Sequence, residues 1–208
     1  MSDQEWSDGD ADSPAPRVVI LAGPNGAGKT TSSRTLLAEQ MAVMTFVNAD
    51  VIAQGLSGFS PDTVALRAGR IMLDRLRELA ESRRSFAFET TLAGRSYAGW
   101  LSELRLLGYE IHLHYFWLTS ADLAVMRVAE RSRRGGHSIP EPTIRQRYER
   151  SLDNLFDLYL PLADLWSIYN NSVEGLPEII ARGGQEIEIC DHSLWKLITS
   201  GRRFHDTP

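Results

Sequence analysis

The chain has 208 residues, 43% hydrophobic and 24% charged, which leaves room for one domain with a substantial core and excludes a low-complexity or disordered polymer. Its net charge of −5 is set at the start: residues 1–16 carry five acids (Asp3, Glu5, Asp8, Asp10, Asp12) and no Lys or Arg, leaving 22 acids against 22 bases over residues 17–208. The single cysteine, Cys190, excludes an internal disulfide, and no apolar run reaches membrane-spanning length, so the expectation is a cytoplasmic protein with an acidic, disordered tail over 1–16 and one domain over 17–208.

In chain order, Arg17–Ala22 is a β-branched run ending in a Gly-rich turn, the pattern of a buried strand, and a helix is expected from the glycines to about Gln40. Residues 45–48 form a second strand ending at Ala49-Asp50, with a short helix over 51–54. Ser60-Pro61 opens a helix whose Val64, Ala68, Ile71, Met72, Leu76 and Leu79 recur at helical spacing as far as Glu81. A strand over 85–89, a helix over 96–107 stopped by Gly108, and a long strand over 110–118 follow. Ser120 caps a helix that ends near Gly135-Gly136, and Pro140 and Pro142 bound another that starts near Thr143. The tail predicts strands near 168–171 and 186–189 and a last helix from Asp191. Strands alternating with helices predict an α/β fold, a parallel sheet with helices on both faces and a helical lid around 127–150. Gly23–Thr30, which fits the phosphate-loop pattern G-x-x-x-x-G-K-[ST], makes the expected type P-loop NTPase, nucleotide-kinase-like.

The first chemical signal is Gly23-Pro24-Asn25-Gly26-Ala27-Gly28-Lys29-Thr30-Thr31, which fits G-x-x-x-x-G-K-[ST] at every position between a strand and a helix. Such a loop curls its main-chain N–H groups around phosphate oxygens, with Lys29 for the β- and γ-phosphates and the Thr30 hydroxyl for Mg²⁺. The expected cofactors are therefore Mg²⁺ and ATP or GTP. Two acids fall at strand ends, where open α/β sheets bind ligands. Asp50 suits a base that accepts the proton of an attacking hydroxyl, or alternatively a helix cap. Glu89 with Thr90 and Thr91 suits the binding of acceptor hydroxyls, although Glu89 alone could instead order Mg²⁺ or an activating water.

Seven of the 20 arginines lie between Arg127 and Arg150. Arg127 and Arg131 are the candidates for stabilising charge on the transferring phosphoryl group, Arg147 and His137 for binding substrate, and the rest suit a solvated helix face. His112 and His114 alternate along one strand and are expected to pack in the core, as are Trp100, Trp117 and Trp166. The neutral core and the lack of interleaved aromatics count against a nucleic-acid channel.

GPNGAGKTT, FVNADVIAQGL, ALRAGRIMLDRL, FAFETTLAG and RGGHSIPEPTIRQRYERSLDNL, in that order, resemble the zeta-toxin family of P-loop kinases across about Val18–Asn154. The resemblance implies ATP- or GTP-dependent phosphorylation of the sugar 3′-hydroxyl of UDP-N-acetylglucosamine and a separate helical antitoxin that blocks the nucleotide site. It implies Lys29 and Thr30 at phosphate and Mg²⁺, Asp50 as catalytic base, Glu89 and Thr91 at the acceptor, and Arg127 as first lid arginine. This chain is a short form, with His137 in a GGH segment where the family's second lid arginine is expected. Another nucleotide, nucleoside or small metabolite as acceptor, a nucleic-acid 5′-end kinase, and a non-catalytic ATP-dependent switch are the alternatives.

Overall fold

The computed structural model describes residues 14–32, 45–57, 61–136, 138–173 and 175–200. Strand β1 (Arg17–Ala22) is the axis: Val18 to Ala22 are all buried, because helices cover both faces of a parallel sheet and an unbroken apolar run is what fits there. It pairs in parallel with β3 (Phe86–Thr90) on one side and β4 (Glu110–Trp117) on the other. Strands β2 (Phe46–Val47) and β5 (Leu165–Asn170) extend the parallel block outward. The seven strands run in the order β2-β3-β1-β4-β5-β6-β7.

The sheet is mixed rather than all parallel. β6 (Glu178–Gly183) and β7 (Ile187–Ile189) add antiparallel hairpin strands to the β5 edge, and β6 has no counterpart among the expected strands. Its EIIARG sequence offers only a short apolar stretch without alternation, so the period-2 signal is weak.

Helix α1 (Ala49–Leu56) follows β2, and α2 (Ala65–Glu81), entered through a 3-10 turn at Pro61–Val64, buries Ala68, Met72, Leu76 and Leu79. Helix α3 (Ser96–Leu106) stacks Trp100 on Phe86, with ring centroids 6.0 Å apart. Helices α4 (Ala121–Arg133) and α5 (Glu141–Asn154) pack together after β4, joined by Arg145, which reaches Asp122 at 2.6 Å and Glu141 at 2.8 Å. Beyond α5 the helix widens into a π turn over Leu155–Tyr159 and tightens into a 3-10 turn over Leu160–Leu162. Pro161 explains the change of winding, since a proline has no N–H for an i−4 bond and its ring crowds that carbonyl. Helix α6 (His192–Thr199), capped by Asp191, lays Trp195 against Trp166 with centroids 6.0 Å apart.

Trp117 and Trp166 are buried, as expected, and Trp100 is half-buried. His114 is buried with Nδ1 3.2 Å from the Tyr169 hydroxyl, and burial pushes its pKa down to about 4; His112 Nε2 lies 3.3 Å from Glu110. No helix among the described residues is long and apolar enough to cross a membrane. Residues 1–13 of the expected tail, the expected helix beyond Ser32, Ser60 and His137 all lie outside the described residues.

Candidate active site

The segments after β1, β2, β3, β4 and β5 all leave the sheet at the same edge, the carboxyl ends of the parallel strands. The phosphate loop, Asp50 in the first turn of α1, and Glu89, Thr90 and Thr91 at the end of β3 gather there, while Arg127, Arg131 and Arg147 lie within the helices that follow β4. The phosphate loop is clamped from behind. A Cβ on Gly23 would sit 2.3 Å from the Phe116 carbonyl oxygen, so only glycine lets the loop leave β1 against β4. The Ala27 N–H returns to the Pro24 carbonyl (3.2 Å), and Thr31 and Ser32 both donate to the Gly28 carbonyl as the helical turn begins. Asn25 Oδ1, at the loop's apex, is buried without a hydrogen-bond partner among the described residues.

Lys29 is buried; its Nζ donates to the Pro24 carbonyl (3.1 Å) and lies 3.7 Å from Glu89 Oε1. Burial lowers its pKa, the charges of Glu89 and Asp50 oppose that shift, and the charge of Arg131 adds to it. Charged groups from four segments, the phosphate loop, the first turn of α1, the end of β3 and the last turn of α4, therefore act on one another here. Glu89 Oε2 accepts hydrogen bonds from the Thr30 hydroxyl (2.8 Å) and from Asn48 Nδ2 (2.8 Å). Its carboxylate thus stands on the phosphate loop itself, joined to both residues of the Lys-Thr pair. The Thr30 and Glu89 oxygens suit a hard cation that keeps most of its water shell, which is the Mg²⁺ habit.

Asn48 takes the capping role considered for Asp50. Its Oδ1 accepts from the N–H groups of Asp50 (2.7 Å) and Val51 (3.3 Å), so Asn48 caps α1 and the Asp50 carboxylate is released from that duty. Asp50 is exposed in the first turn, where the helix dipole favours a negative charge. Asn48 was not singled out in the sequence, although an Asn directly before Ala-Asp at a strand-to-helix junction is a capping signal.

The Thr90 and Thr91 hydroxyl oxygens accept from the Leu92 and Ala93 N–H groups, at 3.1 and 3.4 Å, which leaves each O–H to donate. Leu92, buried, has φ of +55°, a left-handed backbone unusual for a leucine. Asn154 Nδ2 on its carbonyl (2.8 Å) and the Tyr159 hydroxyl on the Gly94 carbonyl (2.7 Å) hold this loop against the α5–π segment. Strain of this kind persists only where the surroundings over-determine it.

The arginines divide sharply. Arg133 and Arg134 pair with Glu130, and Arg145 ties α4 to α5. Arg147 is half-buried on α5. Arg131 acts on Lys29 through its charge. Arg127, expected at the phosphoryl group, instead donates to the Asn171 carbonyl (2.7 Å) and the Ser172 carbonyl (2.9 Å) in the loop after β5. Asn171 in turn donates from Nδ2 to the Ala27 carbonyl at 2.6 Å. Asn171 and Asn154 were also missed: an Asn after a strand or inside a helix carries no motif, and its role exists only through a partner far along the chain.

Fold and loop together define a P-loop kinase-like protein. The chain belongs to the AAA domain family (AAA_33), whose model matches residues 18–152. A chain of the AvrRxo1-ORF1:AvrRxo1-ORF2 complex with sulphate ions is similar at a TM-score of 0.71 and 16% identity, covering 93% of this chain; this chain spans 66% of that one's length. A structure from the PezAT chromosomal toxin-antitoxin system of Streptococcus pneumoniae aligns at a TM-score of 0.63 and 17% identity, over 95% of this chain and 84% of that one. An uncharacterized protein of Haemophilus influenzae is 26% identical over 132 residues, 64% of this chain and 92% of its own length.

Proposed function

We propose that this protein is a Mg²⁺- and ATP- or GTP-dependent kinase that transfers the γ-phosphoryl group to a hydroxyl of a small molecule, with the sugar 3′-hydroxyl of UDP-N-acetylglucosamine the leading acceptor. The observation that carries the reading is the Asp50 carboxylate. It has given up its capping role to Asn48 and stands within electrostatic reach of Lys29. In the reaction the acceptor oxygen forms a bond to the γ-phosphorus as the bond to the β,γ-bridging oxygen breaks, and the electron pair leaves with the nucleoside diphosphate. Asp50 takes the hydroxyl proton and passes it to water. Lys29 exchanges its Pro24 and Glu89 contacts for phosphate oxygens. Thr30 and Glu89 would hold Mg²⁺, which neutralises charge on the β- and γ-oxygens when bound. Arg131, at the C-terminal end of α4, would meet the charge of the transferring group, and the α4–α5 pair would act as the lid. Thr90, Thr91 and Arg147 would line the acceptor side.

The zeta-toxin resemblance supports the acceptor, and the likeness to the PezAT toxin-antitoxin system supports a separate antitoxin protein as partner. The test is Asp50→Asn. ATP affinity should stay within about twofold, while transfer falls by at least about 100-fold. Unchanged transfer would remove Asp50 as the base.

A further inference from the structure

We infer that Asn171 is a positioning residue of the phosphate loop, held in place by Arg127, and that together they aim a main-chain donor at the nucleotide's phosphates. The inference rests on the nucleotide-binding part of the function proposed above. Its geometry starts from the Ala27–Gly28 peptide. The Asn171 amide fixes the Ala27 carbonyl at 2.6 Å, and none of the described peptide bonds is cis. In a trans peptide the carbonyl and the following N–H point in opposite directions. Holding the Ala27 oxygen toward Asn171 therefore turns the Gly28 N–H the other way, toward the inside of the loop. The same contact explains Gly28: at φ of +75°, a Cβ there would lie 2.6 Å from Asn171 Nδ2.

Asn171 is itself immobilised from three directions. Its N–H donates to the Trp117 carbonyl (3.0 Å) at the end of β4, and the Ser172 hydroxyl accepts from the Thr119 N–H (2.9 Å). Arg127 forks across the carbonyls of Asn171 and Ser172. Among the described residues Arg127 has no carboxylate partner, so its charge adds positive potential behind a loop built for anions. A lysine would have to meet both carbonyls from a single nitrogen, without the guanidinium's planar two-nitrogen fork.

The test is calorimetric titration of the full chain with Mg²⁺ and ADP, and separately with adenosine, in wild type, Asn171→Ala, Arg127→Ala and Arg127→Lys. Asn171→Ala should weaken ADP binding about tenfold, the cost of one lost orienting hydrogen bond, and leave adenosine binding within about twofold. Arg127→Lys should fall between wild type and Arg127→Ala. If Asn171→Ala does not fold, the Arg127→Lys comparison carries the same ADP-against-adenosine contrast. Equal loss for ADP and adenosine would mean a merely structural role and overturn the inference, as would unchanged ADP affinity while the wild type binds normally. A wild type that binds no ADP would instead overturn the nucleotide-binding reading, and the inference with it.

Discussion

Replacing Glu89 with Gln removes the nearest negative charge from Lys29. At 3.7 Å the pair is worth about 4 kcal/mol gross with an effective dielectric of ~20. Gln retains an oxygen for Thr30 and Asn48, and Asp50 and the Pro24 carbonyl remain for Lys29, so the net cost at about pH 7 should be about 1–3 kcal/mol. For a chain of this size that lowers Tm by roughly 3–10 °C. The pH dependence separates a charge effect from lost packing. Burial already holds Lys29 below its ordinary 10.5, and Glu89 is the largest influence opposing it. Between the folded pKa and 10.5 the unfolded chain binds more protons, so this group's contribution to stability rises with pH. Without Glu89 the folded pKa drops further and the window opens earlier. The deficit of Glu89→Gln should therefore shrink as pH rises, since a neutral lysine no longer needs its counter-charge. Urea unfolding at about pH 7 and about pH 9.5 measures this directly. A deficit that is absent at both pH values, or that grows with pH, would refute Glu89 as the counter-charge of Lys29.

Arg131→Ala should lower kcat by about 100-fold or more with little change in ATP affinity, because its charge matters most in the transition state; steady-state kinetics reads the split. Asn154→Ala leaves the buried Leu92 carbonyl without its donor, which should cost about 1–3 kcal/mol and raise the acceptor KM more than the ATP KM. His114, pushed down to about 4 from 6.5, is neutral when folded, so the unfolded chain binds the extra proton between those values and stability falls as pH drops from about 6.5 to about 4. Up to about 3 kcal/mol should go in that window. Denaturation midpoints in His114→Gln should be flatter over the same range; an equal slope would assign the loss to other groups.

The parts of the fold that lie on local pattern were readable in the sequence. The β1 run, the helix ending at Gly108, the Ser120 and Asp191 caps and the phosphate loop each depend on residues a few positions apart. The antiparallel β6–β7 hairpin was not readable, because its β6 strand has too little alternation to stand out. The site divides in the same way. Lys29, Thr30 and Asp50 sit in contiguous motifs. Glu89 was found, with acceptor binding and the ordering of Mg²⁺ or water both open, but its contacts with Thr30 and Asn48 span 59 and 41 residues of sequence and carry no local signal. Arg127 is expected from the sequence at the transferring phosphoryl group, as the first lid arginine of the family resemblance. Its guanidinium instead reaches the Asn171 carbonyl, 44 residues away, a partner that no spacing along α4 reveals. A side chain's spacing fixes its face on a helix; the partner on that face comes from the tertiary fold.

The central claim is that the phosphoryl group goes to a hydroxyl on another molecule and not to water. The direct measurement is to run the protein with Mg²⁺, ATP and UDP-N-acetylglucosamine, alongside nucleosides and other hydroxylated metabolites, in ¹⁸O-labelled water and to follow every phosphorus species by mass spectrometry and ³¹P NMR. The account predicts an unlabelled phosphomonoester of one acceptor, formed with ADP in equal amount and lost in Asp50→Asn. Labelled inorganic phosphate as the sole product, formed at the same rate with every acceptor and in Asp50→Asn, would contradict it.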